Sequence, residues 1–235
     1  MSIRIVLAVV FLSGFLYGRI DVPKLLSDYQ NLDQKVRELG ERKRFLMLVN
    51  RQHAIPEDFI PNLTPTAQRP EVRLDIAACA ALERMMEAAE EDGHTIIIAS
   101  GYRDRSYQED LLQEDIASAI GRGMSCEEAY RYVVRETMPP GCSEHETGLA
   151  ADLVSPSNQV LDERQADTPE NRWLLEHCAE YGFILRYPED REEITGVSYE
   201  PWHFRYVGTW AAAEIMEEGL TLEEYVYDII RSDAP

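Results

Sequence analysis

Positive charge is what this chain has least of. It carries 23 Lys and Arg against 43 Asp and Glu, a formal net charge of −20. A nucleic-acid surface needs clustered basic side chains to meet phosphate, so the deficit excludes nucleic acid as a partner. It also disfavours a basic stripe for anionic lipid. The acidic excess reads as a solvated surface that aids solubility. Cysteine is scarce as well. Cys79, Cys126, Cys142 and Cys178 contain no C-x-x-C spacing, which leaves a structural zinc ribbon without support. Internal repeats and low-complexity tracts are absent. What is present is apolar material: 45% of 235 residues is enough for a core and fits one ordinary domain plus extras.

Long hydrophobic runs are limited to the start. From Ile5 to Tyr17 the chain is apolar except for Ser13 and Gly14, with Arg4 just before it. A signal peptide or a signal anchor has this form. No small-x-small cleavage site follows and no cysteine is nearby for lipidation, so residues 1–20 are expected to be an uncleaved membrane anchor. The run is at the short end of the roughly 17 to 25 residues a span needs. Lys35, Arg37, Arg42, Lys43 and Arg44 would then lie outside, which gives the positive-inside bias no help. A buried N-terminal helix is the alternative. On the anchored reading the remainder is extracytoplasmic.

Residues 21–44 are polar, with Leu25, Leu32, Val36 and Leu39 at helical spacings, and read as a helical stalk. Residues 45–235 are expected to form the main domain. Pro56, Pro61, Pro65 and Pro70 mark an extended, loop-rich entry. Apolar positions Val72, Ile76, Cys79, Leu82 and Met86 predict a helix from Val72 to Glu91, closed by Gly93. Thr95–Ser100 reads as a buried strand. A helix follows over Ser106–Ile120, and Ser125 with Glu128 forms a capping box for the next. Leu149–Val154 reads as a strand, and Thr168-Pro169 starts a helix ended by Gly182. Phe183–Tyr187 and Tyr199–Val207 read as neighbouring strands, and Thr221 with Glu224 caps a last helix. The class is α+β, with a central, mostly antiparallel sheet flanked by helices.

Two imidazoles and one carboxylate are a sufficient protein set for a catalytic zinc, which keeps a fourth position open. His145, Asp152 and His203 offer that set, Glu200 offers a base, and Arg103, placed after a buried strand and a glycine, offers a cation for an oxyanion. His145 and Asp152 are seven apart, so the pair is not the i, i+4 arrangement of a helical site. Cys142 with His145 is an alternative ligand pair. Proline after Glu200 disfavours a helix there, and in a regular strand Glu200 and His203 would face opposite sides. Some irregularity is therefore required if both act together. Cys126 and Cys142 bracket one helical segment. In an exported chain a disulfide between them, worth roughly 3 kcal/mol, and two free thiols are equal alternatives. Cys79 and Cys178 read as core residues.

The motif S-x-H-x-x-G-x-A-x-D, Ser143 to Asp152, followed by Tyr199-Glu200-Pro201-Trp202-His203-Phe204-Arg205-Tyr206, resembles the VanY-type D-alanyl-D-alanine carboxypeptidases. Ser100-Gly101-Tyr102-Arg103, Tyr107-Gln108 and Tyr181 to Pro188 extend the resemblance over about Leu46 to Gly208. It implies Zn2+ held by His145, Asp152 and His203, with Glu200 as the base and Arg103 at the oxyanion. It further implies that Gln108, Ser143, Tyr199 and Trp202 contact substrate. The substrate implied is a peptidoglycan stem peptide ending in D-alanine. The similar L,D-carboxypeptidases, acting on tetrapeptide stems, share these motifs. A zinc-containing module that only binds wall peptides would have no need of Glu200. Glu146 stands where the family commonly carries glutamine and is expected to add a negative charge next to the metal.

Overall fold

The computed structural model describes residues 22–232. The apolar run read as an anchor lies outside them. Among the described residues no helix is long and apolar enough to cross a membrane. The chain divides into two compact units between Arg44 and Phe45. The described part of the first is residues 22–44 of the helix α1 (Val22–Phe45), which presents Leu32 and Leu39 as exposed side chains.

The second unit is α+β. A short ribbon pairs β1 (Leu63–Pro65) with β2 (Arg73–Asp75) antiparallel. The helix α2 (Ile76–Glu91) follows directly. The sequence pattern extended this helix back to Val72, and the structure corrects that. Asp75 takes the N-cap, its carboxylate accepting from the Ala77 amide at 3.0 Å, and the residues before it pair with β1. α2 buries Ala78, Leu82, Met85 and Ala89 in the main core, together with Leu153, Phe183 and Phe204 from the sheet.

The main sheet contains β3 (Ile97–Ser100), β4 (Ala150–Val154), β5 (Phe183–Leu185) and β6 (His203–Tyr206), in the order β3-β4-β6-β5. Every pairing is antiparallel, as the sequence pattern suggested. The central strand β4 is buried along its whole length, and its one charged residue is Asp152. Between β3 and β4 come α3 (Arg105–Gly121) and α4 (Cys126–Val133). The Ser125–Glu128 capping box is formed on α4. Next come α5 (Pro169–His177), a short α6 (Glu192–Thr195), α7 (Thr209–Glu218) and α8 (Leu222–Ser232). Thr221 and Glu224 exchange capping bonds at the start of α8.

Several elements are shorter than their patterns, among them β3, which starts at Ile97 rather than Thr95, and β5, which ends at Leu185 rather than Tyr187. α5 stops at His177, and a 3-10 turn carries the chain from Cys178 to Tyr181 before Gly182 (φ +85°). The predicted strand from Tyr199 begins only at His203, because Glu200-Pro201-Trp202 forms a turn first. All four cysteines are free thiols: Cys79 and Cys178 are buried, Cys126 is exposed and Cys142 half-buried. The bracket suggested for Cys126 and Cys142 is therefore not closed.

Gly148 links the 3-10 turn Glu144–Thr147 to β4 with φ +74°. A Cβ there would lie 2.6 Å from Leu63 Cδ2 and 2.9 Å from the Asp75 amide nitrogen. Gly148→Ala is therefore expected to cost at least about 1–3 kcal/mol, the range for a non-glycine residue held in the left-handed region. A urea-unfolding midpoint equal to the parent's would contradict this.

Candidate metal centre

Strand register brings the donors together. Asp152 on β4 stands opposite His203 on β6, and on its other side opposite Ser100 on β3. Directly opposed residues of a sheet share a face, so the carboxylate and the imidazole meet without any loop to steer them. His145 reaches the same point from the 3-10 turn that precedes β4. Its Nδ1–H donates to the Gly101 carbonyl at 2.7 Å, which turns the Nε2 lone pair inward, 3.4 Å from Asp152 Oδ2. His203 presents Nδ1, 3.2 Å from Asp152 Oδ1. One donor atom from each residue fits within 4.8 Å of the others, and all three residues are buried.

Asp152 Oδ1 is buried with no hydrogen-bond partner among the described residues. Such an atom is costly in an apolar interior unless a cation meets it. Two imidazole nitrogens and one carboxylate oxygen are the donors that borderline divalent metals take. The residues therefore fit a metal ion of that kind. Cys142, the alternative partner of His145, is not part of this group.

Glu200 lies in the turn before β6. The His203 amide donates to the Glu200 carbonyl at 3.2 Å, and the Asn171 side-chain amide donates to the Pro201 carbonyl at 2.5 Å. The turn supplies the irregularity that a straight strand lacks and sets Glu200 Oε2 3.5 Å from His203 Nδ1. Burial pushes the Glu200 carboxyl up to about 8, reinforced by Asp152 and Glu136 and opposed by His203 and Arg103. A cation between the donors would draw that value down again. Burial also works against the Asp152 carboxylate, yet His145, His203 and Arg103 hold it well below the usual range. His145 is pushed down by burial and by Arg103, which favours the neutral ring that a ligand must be.

These groups line a cavity of about 460 Å³ that also takes in Arg103, Gln108, Ser143 and Trp202. Arg103 donates Nη2–H to Asp152 Oδ2 at 2.8 Å and Nε–H to Ser100 Oγ at 3.0 Å. Its Nη1 makes no hydrogen bond among the described residues. Gln108 is anchored by its amide nitrogen on the Met138 carbonyl at 2.8 Å, while Oε1 is buried and unpartnered.

Two expected neighbours are placed elsewhere. Tyr199 lines a separate cleft with Arg135 and Pro188, because adjacent residues in extended backbone point to opposite sides. Glu146 does not reach the cavity. Its Oε1 accepts from the Gly141 amide at 2.6 Å and braces the loop, so the extra charge is not beside the metal position. Sequence reasoning passed over Glu144, Tyr187, Arg186 and Arg205, all buried near His203. Their signal was an arginine in the otherwise apolar stretch Phe183–Tyr187 and another near His203 in the aromatic-rich stretch Trp202–Tyr206. A buried guanidinium requires an anion, and Glu144 is it.

A cation seat flanked by a second carboxylate and an arginine, in a cavity open on one side, defines a metal-dependent hydrolase. The family described as VanY, D-alanyl-D-alanine carboxypeptidase, matches residues 71–209. A D-alanyl-D-alanine carboxypeptidase of Enterococcus faecalis is 38% identical over 203 residues, covering 84% of this chain and 71% of the relative. A single-site Glu-to-Ala mutant of the vancomycin-resistance D,D-pentapeptidase VanY of the VanB-type cassette, solved in complex with Zn(II), superposes with a TM-score of 0.70 at 39% identity. That match covers 78% of this chain and 99% of the other. VanYB in complex with D-alanine-D-alanine gives 0.71 at 39% identity, covering 78% and 97%. The chain belongs to the VanY D-alanyl-D-alanine carboxypeptidase family.

Asp152→Asn keeps the shape of the side chain and removes the anionic ligand. It is expected to leave the folded protein unable to retain stoichiometric zinc through gel filtration, read by elemental analysis. Full retention would remove Asp152 from the ligand set.

Proposed function

We propose that the protein is a zinc-dependent carboxypeptidase that removes the C-terminal D-alanine from peptidoglycan stem peptides. The observation that carries this reading is the placement of the buried Glu200 carboxylate 3.5 Å from the ligand atom of His203, inside the cavity that holds the donor triad. A module that only binds peptide has no use for a second, uncoordinated carboxylate at that point. Family membership supports the same reaction.

Zinc bound by His145, Asp152 and His203 would supply Lewis acidity to the scissile carbonyl and lower the pKa of a water. Glu200 takes the proton from the attacking water at a carboxylate oxygen. It then delivers that proton to the departing amine of D-alanine. Arg103 carries a permanent charge on a planar fork and steadies the oxyanion that forms as water adds. Gln108 Oε1, Ser143 and Trp202 are available to hold the peptide end, the first as a buried acceptor without a partner.

Residues 45–235 are the catalytic unit on this reading, residues 21–44 a stalk, and residues 1–20 an anchor in the cell membrane. The apolar run Ile5–Tyr17, broken only by Ser13 and Gly14, supports the last point, and stem peptides are met outside the membrane.

The test is D-alanine release by the zinc-loaded full chain from stem pentapeptide and tetrapeptide, offered separately. Release from pentapeptide alone is expected. Release from tetrapeptide alone would move the assignment to L,D-carboxypeptidase activity, and release from neither would leave a binding module. Glu200→Ala should lower kcat by about 10²–10⁴-fold, the usual worth of a general base, while zinc is retained. Unchanged turnover would remove Glu200 from the chemistry.

A further inference from the structure

The residue before His145 is Glu144, and its side chain is fully buried. Its Oε1 accepts two charge-assisted hydrogen bonds at 2.7 Å, from Arg186 Nε and Arg205 Nη1. Both arginines are themselves completely buried. Among the described residues Oε2 accepts no hydrogen bond and stands 3.5 Å from His203 Nε2, which is equally buried and unpartnered. The opposite edge of the same ring, Nδ1, faces Asp152 and Glu200. His203 is thus held between one carboxylate behind it and the donor triangle in front.

Arg186 continues the chain of charges outward. Its Nη1 and Nη2 donate to the two oxygens of Glu223 at 2.8 and 2.7 Å, and Asn50 Nδ2 donates to Glu223 Oε1 at 3.2 Å. Arg205 spends Nη2 on the carbonyls of Phe45 and Met47, at 3.0 and 2.9 Å. Glu223 lies on α8 and Asn50 in the entry segment, both outside residues 71–209 that the family match covers.

A neutral imidazole has one protonated nitrogen and one lone pair, and the partner of one nitrogen decides the state of the other. An anion beside Nε2 holds the proton there and leaves the Nδ1 lone pair for an ion. Glu144 can do this only if it stays ionised without solvent. Arg186 and Arg205, balanced by Glu144 and Glu223, make that possible at no net charge. A stability role alone explains this poorly, because buried ion clusters are often replaceable by apolar side chains at no loss.

We propose that Glu144 is a positioning residue of the metal centre, fixing the tautomer and orientation of His203 through Nε2, and that Arg186 and Glu223 hold Glu144 in place. This rests on the reading of His203 as a metal ligand. Glu144→Gln tests it sharply. The amide oxygen must face the two arginines, so the NH₂ faces His203 and demands a lone pair at Nε2. That shifts the ring proton to Nδ1, the atom that would bind metal.

The experiment measures the zinc dissociation constant of the full chain by competition with a chromophoric chelator, beside the thermal midpoint of the metal-free protein. Glu144→Gln is expected to weaken zinc by about 10–100-fold, the usual effect of removing a partner that orients a ligand. Glu223→Gln, which leaves Glu144 in place but loosens Arg186, should weaken it by a smaller factor. A Glu144→Gln protein that loses thermal stability yet binds zinc within about twofold of the parent would overturn the proposal. His203→Ala separates the two readings: if it too binds zinc like the parent, the ligand assignment itself falls. Should Glu144→Gln fail to fold, nitrogen NMR of the zinc-loaded parent decides. Opposite tautomers are expected, His203 protonated at Nε2 and His145 at Nδ1, and a proton on His203 Nδ1 would overturn the proposal.

Discussion

The pairing of β4 with β6 is the constraint on which the rest of the site depends. It sets Asp152 opposite His203, and the pairing of β4 with β3 sets Asp152 opposite Ser100. Side chains along a strand alternate between faces, so a slip of one residue would turn Asp152 away from His203 and into the packed face beneath. The apolar neighbours Ala151 and Leu153 make that slip costly, because both are fully buried. Hydrophobic register and metal geometry are therefore the same fact, expressed on the two faces of β4.

Around that fixed pair, short irregular segments deliver what a sheet cannot. The 3-10 turn Glu144–Thr147 brings in His145 and is ended by a left-handed Gly148. The Glu200–Trp202 turn brings the Glu200 carboxyl to the same side as His203, and it is fastened by Asn171 from α5 and by the Leu153 amide on the Trp202 carbonyl. The segments that carry His145 and Glu200 are thus held by backbone bonds to their surroundings. Positioning of this kind is what lets a small set of side chains act in concert.

Much of the cost of the site is electrostatic. Carboxylates of Asp152, Glu200 and Glu144 are buried within one cavity wall, and burial alone would protonate all three. The structure treats them differently. Asp152 is held ionised beside two imidazoles and Arg103, and Glu144 beside two arginines. Glu200 faces its neighbours with little compensation and is pushed up instead. On the proposed reading, three identical functional groups are separated into a ligand, a buried brace and a base by what stands next to them.

Helices were the legible part of the sequence. The Ser125–Glu128 and Thr221–Glu224 caps and the apolar spacing of α2 are local signals, set by side chains within one or two turns of one another. The His145, Asp152, His203 and Glu200 set was legible because its residue types and motifs are unusual in combination. Tyr199 and Glu146 were misplaced for the opposite reason: the direction of a side chain depends on where a strand begins and on which amide is nearby, here Gly141. Nor could any local rule reveal that Arg186 and Arg205 share Glu144, since those residues are 42 and 61 positions away from it. The sequence by itself determined which donors and bases the protein owns and which segments are helical. Only the tertiary structure decided which atoms of those residues face one another, because that choice is made by strand register and by buried charges seeking partners far along the chain.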